Sequence, residues 1–163
     1  VRERALWLSR LFKLEFMYRV GASFEEIFEP NLAFLVRVGA LARDGARVRR
    51  GAEGWALEFL AELLRAYLEA YRVAAETALA LGEGTPGAAD RRALLKDALE
   101  RARAAFLAGQ IALRESVSKA TLENALEWLV VQGLLSEDDG RVAVRDAAAI
   151  RAIVDRIAPL LAS

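Results

Sequence analysis

The chain has 163 residues, 55% of them hydrophobic and 28% charged, which is long enough for one well-packed domain. Basic and acidic residues balance at 23 each, so no net charge steers the chain toward nucleic acid or anionic lipid. Because cysteine and histidine are both absent, disulfides, thiolate chemistry, histidine general bases and the usual zinc ligands are excluded, and we expect no cofactor and no metal.

Apolar residues recur at three-to-four spacing along most of the chain, which predicts a mainly α fold. The clearest stripes are Leu6, Trp7, Leu11, Leu14 and Tyr18, and then Leu57, Leu60, Leu64, Leu68 and Tyr71. No run approaches the roughly 18 apolar residues of a membrane-spanning helix. Charges interrupt the apolar part of the N-terminus, unlike in a signal peptide. We therefore expect a cytoplasmic location.

The first half of the chain opens with a capped helix. Ser23 followed by Glu26 is a capping-box pattern, and Gly39 is a typical helix stop. Pro30 is expected to break or kink this helix, because proline lacks the N–H that the helix interior needs.

A hairpin and a long helix follow. Asp44-Gly45 within ALARDGARVRR predicts two short strands joined by a tight turn. The helix predicted from about 54 to 81 carries apolar residues on more than one side. It is either a central core helix or a docking surface.

The second half repeats this order of elements. Asp90 is the predicted cap of one helix, and Ser118 caps another that ends at Gly133. LLSEDDGRVAVRD then predicts a second hairpin, and Asp146 is expected to cap a last helix that ends near Leu161.

Five positions of the two halves match at a constant offset of 94. Leu32, Leu35, Val36, Gly39 and Leu41 correspond to Leu126, Leu129, Val130, Gly133 and Leu135. Upstream, the alternating pairs Phe16, Tyr18 and Ile111, Leu113 each predict a short strand. We interpret these patterns as two winged-helix-like copies, about 2–50 and 91–161, joined by the helix of 54–81 in a single helical domain of residues 1–163. A chance match of two amphipathic helices is the alternative.

The charges around the predicted recognition helix disfavour DNA. Between Ser118 and Gly133 the one basic residue is Lys119, against two acidic residues, Glu123 and Glu127. The hairpin that follows is also acidic. Acidic side chains repel the phosphate backbone, on which most DNA affinity depends.

The first predicted hairpin is basic instead. Its cluster of arginines, which could contact an anion, a lipid headgroup or a partner protein, is Arg43, Arg47, Arg49 and Arg50. The alternative interpretation is a solvated edge that protects the hairpin from aggregation.

Three segments together resemble a known family: LSRLFKLEF, YLEAYRVAAETAL and ESVSKATLENALEWLVVQGLL. In order and spacing they are similar to the C-terminal region of membrane-associated glycerol-3-phosphate acyltransferases, from about Leu8 to Val144. The third segment is the most specific, through Ser118, Asn124-Ala125-Leu126 and Gly133.

The resemblance implies a parent enzyme that transfers an acyl chain from acyl carrier protein or coenzyme A to glycerol 3-phosphate in phospholipid synthesis. Because that family's HxxxxD signature has no counterpart in a chain without histidine, no catalytic residue is carried over. We expect a noncatalytic C-terminal domain of a parent that is peripheral at the inner membrane face, with the chemistry upstream of Val1.

Its expected partners are the catalytic acyltransferase domain and, in addition, an anionic membrane surface or acyl carrier protein. The helix of 54–81 is the first candidate for an exposed apolar docking surface. The alternative function is a stand-alone winged-helix module that binds protein or, with less support, nucleic acid.

Overall fold

The computed structural model describes residues 1–16, 21–83 and 88–162. Helices make up 66% of the described residues and are accompanied by two small antiparallel sheets, which confirms the mainly α prediction. The α-helices are α1 (Arg2–Leu11), α2 (Phe24–Arg37), α3 (Trp55–Glu83), α4 (Arg91–Leu107), α5 (Lys119–Val131) and α6 (Ala147–Leu161). The strands are β1 (Leu41–Asp44), β2 (Arg47–Arg50), β3 (Ala89–Asp90), β4 (Leu135–Asp138) and β5 (Arg141–Val144). Tyr18, named in the first apolar stripe, lies outside the described residues.

The chain divides into two compact units, Val1–Leu64 and Arg65–Ser163. Unit 1 contains α1, α2, the β1–β2 hairpin and the first turns of α3. Unit 2 contains the rest of α3, the helices α4 to α6 and a three-stranded sheet. A single domain over 1–163, with repeat copies over 2–50 and 91–161, stays a prediction.

The predicted capping box begins α2. The Ser23 hydroxyl accepts the Glu26 N–H at 3.3 Å, and the Glu26 carboxylate accepts the Ser23 N–H at 2.7 Å. The hydrogen bond from the Ser23 backbone N–H to the Glu26 carboxylate, followed by a side-chain hydrogen bond with Ser23, lowers the pKa of Glu26 because both favour its ionised form. The helix continues through Pro30 to Arg37, so this proline does not break it.

Both predicted hairpins are present. In unit 1, Asp44 pairs with Arg47 across a two-residue loop whose first residue, Gly45, has a φ of 57°. In unit 2 the two loop residues are Asp139 and Gly140, with φ of 47° and 71°. In this second hairpin both loop residues have a positive φ, as a type I′ turn requires, and aspartate and glycine are among the residues that tolerate it.

The part of α3 that belongs to unit 2 is its central core helix. Residues buried along it include Leu68, Glu69, Ala70, Tyr71, Val73, Ala74, Ala75, Thr77, Ala78 and Leu79. The Tyr71 and Trp128 rings have centroids 6.4 Å apart, which brings α5 against this core. The Ser118 hydroxyl accepts the Thr121 N–H at 3.3 Å, so the predicted cap of α5 is confirmed.

The sheet of unit 2 has a strand that the sequence pattern did not predict. β3 contains two residues and pairs antiparallel with β5, so the strand order is β3-β5-β4. Asp90, its second residue, also caps α4 by accepting the Ala93 N–H at 2.9 Å. Two residues are too few to show alternation, so periodicity alone does not reveal this strand.

The short strand predicted at Ile111 and Leu113 is wrong, because no strand is present there among the described residues. The Ala112 and Leu113 N–H groups instead donate to the Glu69 carboxylate at 2.9 and 3.2 Å. The Ser116 hydroxyl donates to the same carboxylate at 2.5 Å. A side chain on α3 thus satisfies backbone donors that a neighbouring strand would otherwise satisfy.

Replacing Glu69 with alanine should destabilise the protein by about 3 kcal/mol, because it leaves three donors around a buried site without their acceptor. Urea unfolding followed by far-ultraviolet circular dichroism measures the loss. The matched control is Glu123→Ala on the exposed face of α5, expected within about 0.5 kcal/mol of the parent chain. Equal stability of the two variants would contradict a structural role for Glu69.

Candidate functional site

The four arginines predicted as an anion site lie on the β1–β2 hairpin, which we call the arginine hairpin. Its register pairs Leu41 with Arg50, Ala42 with Arg49, Arg43 with Val48, and Asp44 with Arg47. Directly paired residues of an antiparallel sheet share a face, and neighbours along a strand point to opposite faces. The cluster is therefore divided into Arg43 and Arg50 on one face and Arg47 and Arg49 on the other.

The first pair is already engaged within unit 1. Arg50 forms an ion pair with Glu58 of α3 at 2.6 Å, and the Arg43 Nε donates to the Gly45 carbonyl at 3.2 Å. This face also carries Leu41 and Val48, both half-buried. Arg50 thus joins the hairpin to α3, whereas Arg43 bonds to the hairpin's own turn.

The second pair is more available. Arg47 and Arg49 are exposed, and neither has an ion-pair partner among the residues that the structure describes. They line an open groove of about 680 Å³ with Val1, Arg2, Phe28, Glu29, Leu32, Arg43, Asp44, Ala46 and Val48. Glu29 and Asp44 lower the positive charge of this groove, and Glu25 already pairs with Arg2 at 2.5 Å. Arg47 and Arg49 are therefore the arginines most available for the predicted anion contact, which stays a prediction.

An exposed apolar surface lies on the first turns of α3. Trp55, Phe59 and Leu63 repeat at intervals of four residues and are 64%, 61% and 54% exposed, and Leu60 beside them is 45% exposed. We call these four residues the α3 apolar row. Large apolar side chains that follow one helix face in solvent are typical of an interaction surface. The long helix is thus a core helix in unit 2 and carries an exposed apolar face in unit 1, whereas its docking role stays a prediction.

The acidic surface of α5 and the second hairpin is partly neutralised by a residue that the sequence analysis did not identify. Arg91, at the start of α4, contacts Glu127 at 3.3 Å and Glu137 at 3.0 Å. Its side chain is 16% exposed, while those of Glu127 and Glu137 are 48% and 31% exposed, so solvent partly screens these contacts. The sequence separations of 36 and 46 residues explain why no local pattern revealed them. Arg91 thus joins the start of α4 to α5 and β4 and offsets part of their negative charge.

Two further features of the described residues concern metal ions and membranes. Residues 1–16, 21–83 and 88–162 contain no group of three or more side chains arranged to hold a metal ion. Within the same ranges, none of the helices combines the length and the apolar character that crossing a bilayer requires.

The described residues define a class: a mainly helical protein with small hairpins, one of them rich in exposed arginines, and an exposed apolar row on a long helix. Residues 1–138, from α1 through β4, match the family model of the glycerol-3-phosphate acyltransferase C-terminal region, and the chain belongs to this family. The match confirms the resemblance seen in the sequence. No curated protein sequence matches the chain significantly.

Proposed function

We propose that this chain is a noncatalytic C-terminal domain of a glycerol-3-phosphate acyltransferase and that it docks, positions or regulates the catalytic part. The family match over residues 1–138 carries the proposal. The parent enzyme would transfer an acyl chain from acyl carrier protein or coenzyme A to glycerol 3-phosphate. The absence of histidine supports a noncatalytic role, because the HxxxxD signature of that enzyme requires one.

The first test is an acyl-transfer assay on this chain alone, with glycerol 3-phosphate and an acyl thioester as substrates. We expect no turnover above the rate without protein, because no general base of the required kind is available. An active family member assayed in parallel confirms the reagents. Clear turnover by this chain would overturn the noncatalytic assignment.

The docking role rests on the α3 apolar row. These side chains expose a large apolar area to water. Burying that area against a catalytic domain would stabilise the complex by roughly 25 cal/mol for each Å² buried. The ion pair between Arg50 and Glu58 lies beside the row and fixes the hairpin to the same helix. A partner would therefore meet an apolar centre with a charged edge, the usual composition of a protein interface.

The second test introduces Phe59→Asp and Leu63→Asp together and measures binding to the catalytic part of a family acyltransferase by calorimetry. Binding should weaken at least about 100-fold, because two charges replace apolar contacts at the centre of the interface. Leu107→Asp is the matched control, since Leu107 is an apolar residue with 85% exposure in unit 2. If both variants bind like the unchanged chain, the row is not the docking surface.

For the arginine hairpin we propose contact with an anionic membrane surface at the inner face, where the parent would be peripheral. Arg47 and Arg49 carry this proposal because they lie on one face and are exposed. An acidic protein such as acyl carrier protein is the second source of negative charge, and it would compete for the same two guanidinium groups.

The third test compares two double variants in co-sedimentation with vesicles that contain or lack anionic lipid. Arg47→Ala with Arg49→Ala should remove most of the anion-dependent binding, because each juxtamembrane arginine contributes about 1 kcal/mol. Arg43→Ala with Arg50→Ala removes the same charge from the opposite face and should retain more binding. Equal recovery with both vesicle types would eliminate lipid contact for the unchanged chain.

A stand-alone winged-helix module is the alternative function. It is favoured by the arrangement that both halves share, in which a serine-capped helix, a glycine with positive φ and a two-stranded hairpin follow in order. Titration with mixed duplex DNA at physiological salt separates the two functions. Submicromolar, salt-sensitive binding that is lost in the Arg47→Ala, Arg49→Ala variant would favour the module.

A further inference from the structure

A second groove of unit 1 lies between α1 and α2 and has a different chemistry from the arginine hairpin. It has a volume of about 520 Å³ and is lined by Leu6, Ser9, Arg10, Lys13, Ala22, Phe24, Ile27, Phe28 and Asn31. On α1 the lining positions Leu6, Ser9 and Arg10 are three and four residues apart, and Lys13 lies in the turn after that helix. On α2 they are three, four and seven residues from Phe24, so one face of each helix contributes. We call it the α1–α2 groove.

The floor of the groove is apolar. Leu6, Phe24, Ile27 and Phe28 are only half-buried, which leaves part of each side chain uncovered along the groove. The rings of Phe24 and Phe28 stack with centroids 5.0 Å apart and planes 20° apart, which makes a flat aromatic surface. A ligand that covers this floor needs an apolar body.

The charged groups that line the groove, among the residues that the structure describes, are cationic. They are Arg10 and Lys13, both exposed at its edge. The Ser9 hydroxyl donates to the Leu6 carbonyl at 2.8 Å, and the Asn31 amide donates to the Ile27 carbonyl at 2.6 Å. Ser9 and Asn31 are uncharged, so Arg10 and Lys13 are the described lining residues that would select the charge of a ligand.

We propose that the α1–α2 groove binds a single-chain anionic amphiphile. Its acyl chain would cover the aromatic floor, and its carboxylate or phosphate head would pair with Arg10 and Lys13. The volume lies within the range of about 300–1,000 Å³ that is typical of small-ligand pockets, which are mostly apolar with a few placed polar groups. The proposal rests on the groove alone and does not depend on the acyltransferase assignment.

The experiment measures equilibrium binding of oleate, 1-oleoyl lysophosphatidate and neutral methyl oleate to the full chain, below the concentration at which each lipid aggregates. Both anionic lipids should bind saturably and methyl oleate at least about tenfold more weakly, because it lacks the head that the cations recognise. Tighter binding of oleate assigns a fatty acid as the ligand, and tighter binding of lysophosphatidate assigns a lipid phosphate.

Variants then locate the site. Lys13→Glu should weaken oleate binding about tenfold, whereas Lys119→Glu, the same change at an exposed lysine of unit 2, should leave it unchanged. Ile27→Trp should abolish binding by filling the floor, and Ala22→Phe serves the same purpose if circular dichroism shows that the first variant does not fold. Absence of saturable binding, equal affinity for methyl oleate, or equal effects of the two lysine variants would overturn the proposal.

Discussion

The Glu69 carboxylate is a charged group in the interior of unit 2, and the chain around it supplies the hydrogen-bond donors that it needs. With 2% exposure, it cannot rely on water, so it accepts hydrogen bonds from two backbone N–H groups and from Ser116, with Arg65 at 3.9 Å. These contacts fix the segment between α4 and α5 against α3. Because that segment leads directly into Ser118, the position of α5 depends on the same buried charge.

The two exposed surfaces of unit 1 follow from simple periodicities. A strand period of two divides four neighbouring arginines between two faces, so that Arg50 binds Glu58 while Arg47 and Arg49 face solvent. A helix spacing of four places Trp55, Phe59 and Leu63 in one exposed row. Basic and apolar surfaces thus occur within the same 64 residues, which is why docking and anion contact are proposed for this unit.

Membership of the acyltransferase C-terminal family gives these surfaces a context. A domain without histidine has no counterpart of the HxxxxD base, so its proposed contribution is binding rather than chemistry. The α1–α2 groove adds a different kind of contact, with a small amphiphile rather than a protein or membrane surface. Its charged lining residues, among those that the structure describes, are Arg10 and Lys13, whereas the groove of the arginine hairpin also contains Glu29 and Asp44.

The sequence by itself determined the local features: the mainly α fold, the caps at Ser23, Asp90, Ser118 and Asp146, both hairpins and the family. Each depends on residues that are close together along the chain, such as a side-chain oxygen and an N–H three residues later. Only the tertiary structure decided that Glu69 replaces a strand partner at Leu113, that Arg91 joins Glu127 to Glu137, and that a third strand is present. These contacts join residues dozens of positions apart, and their energies depend on burial, which no local pattern encodes.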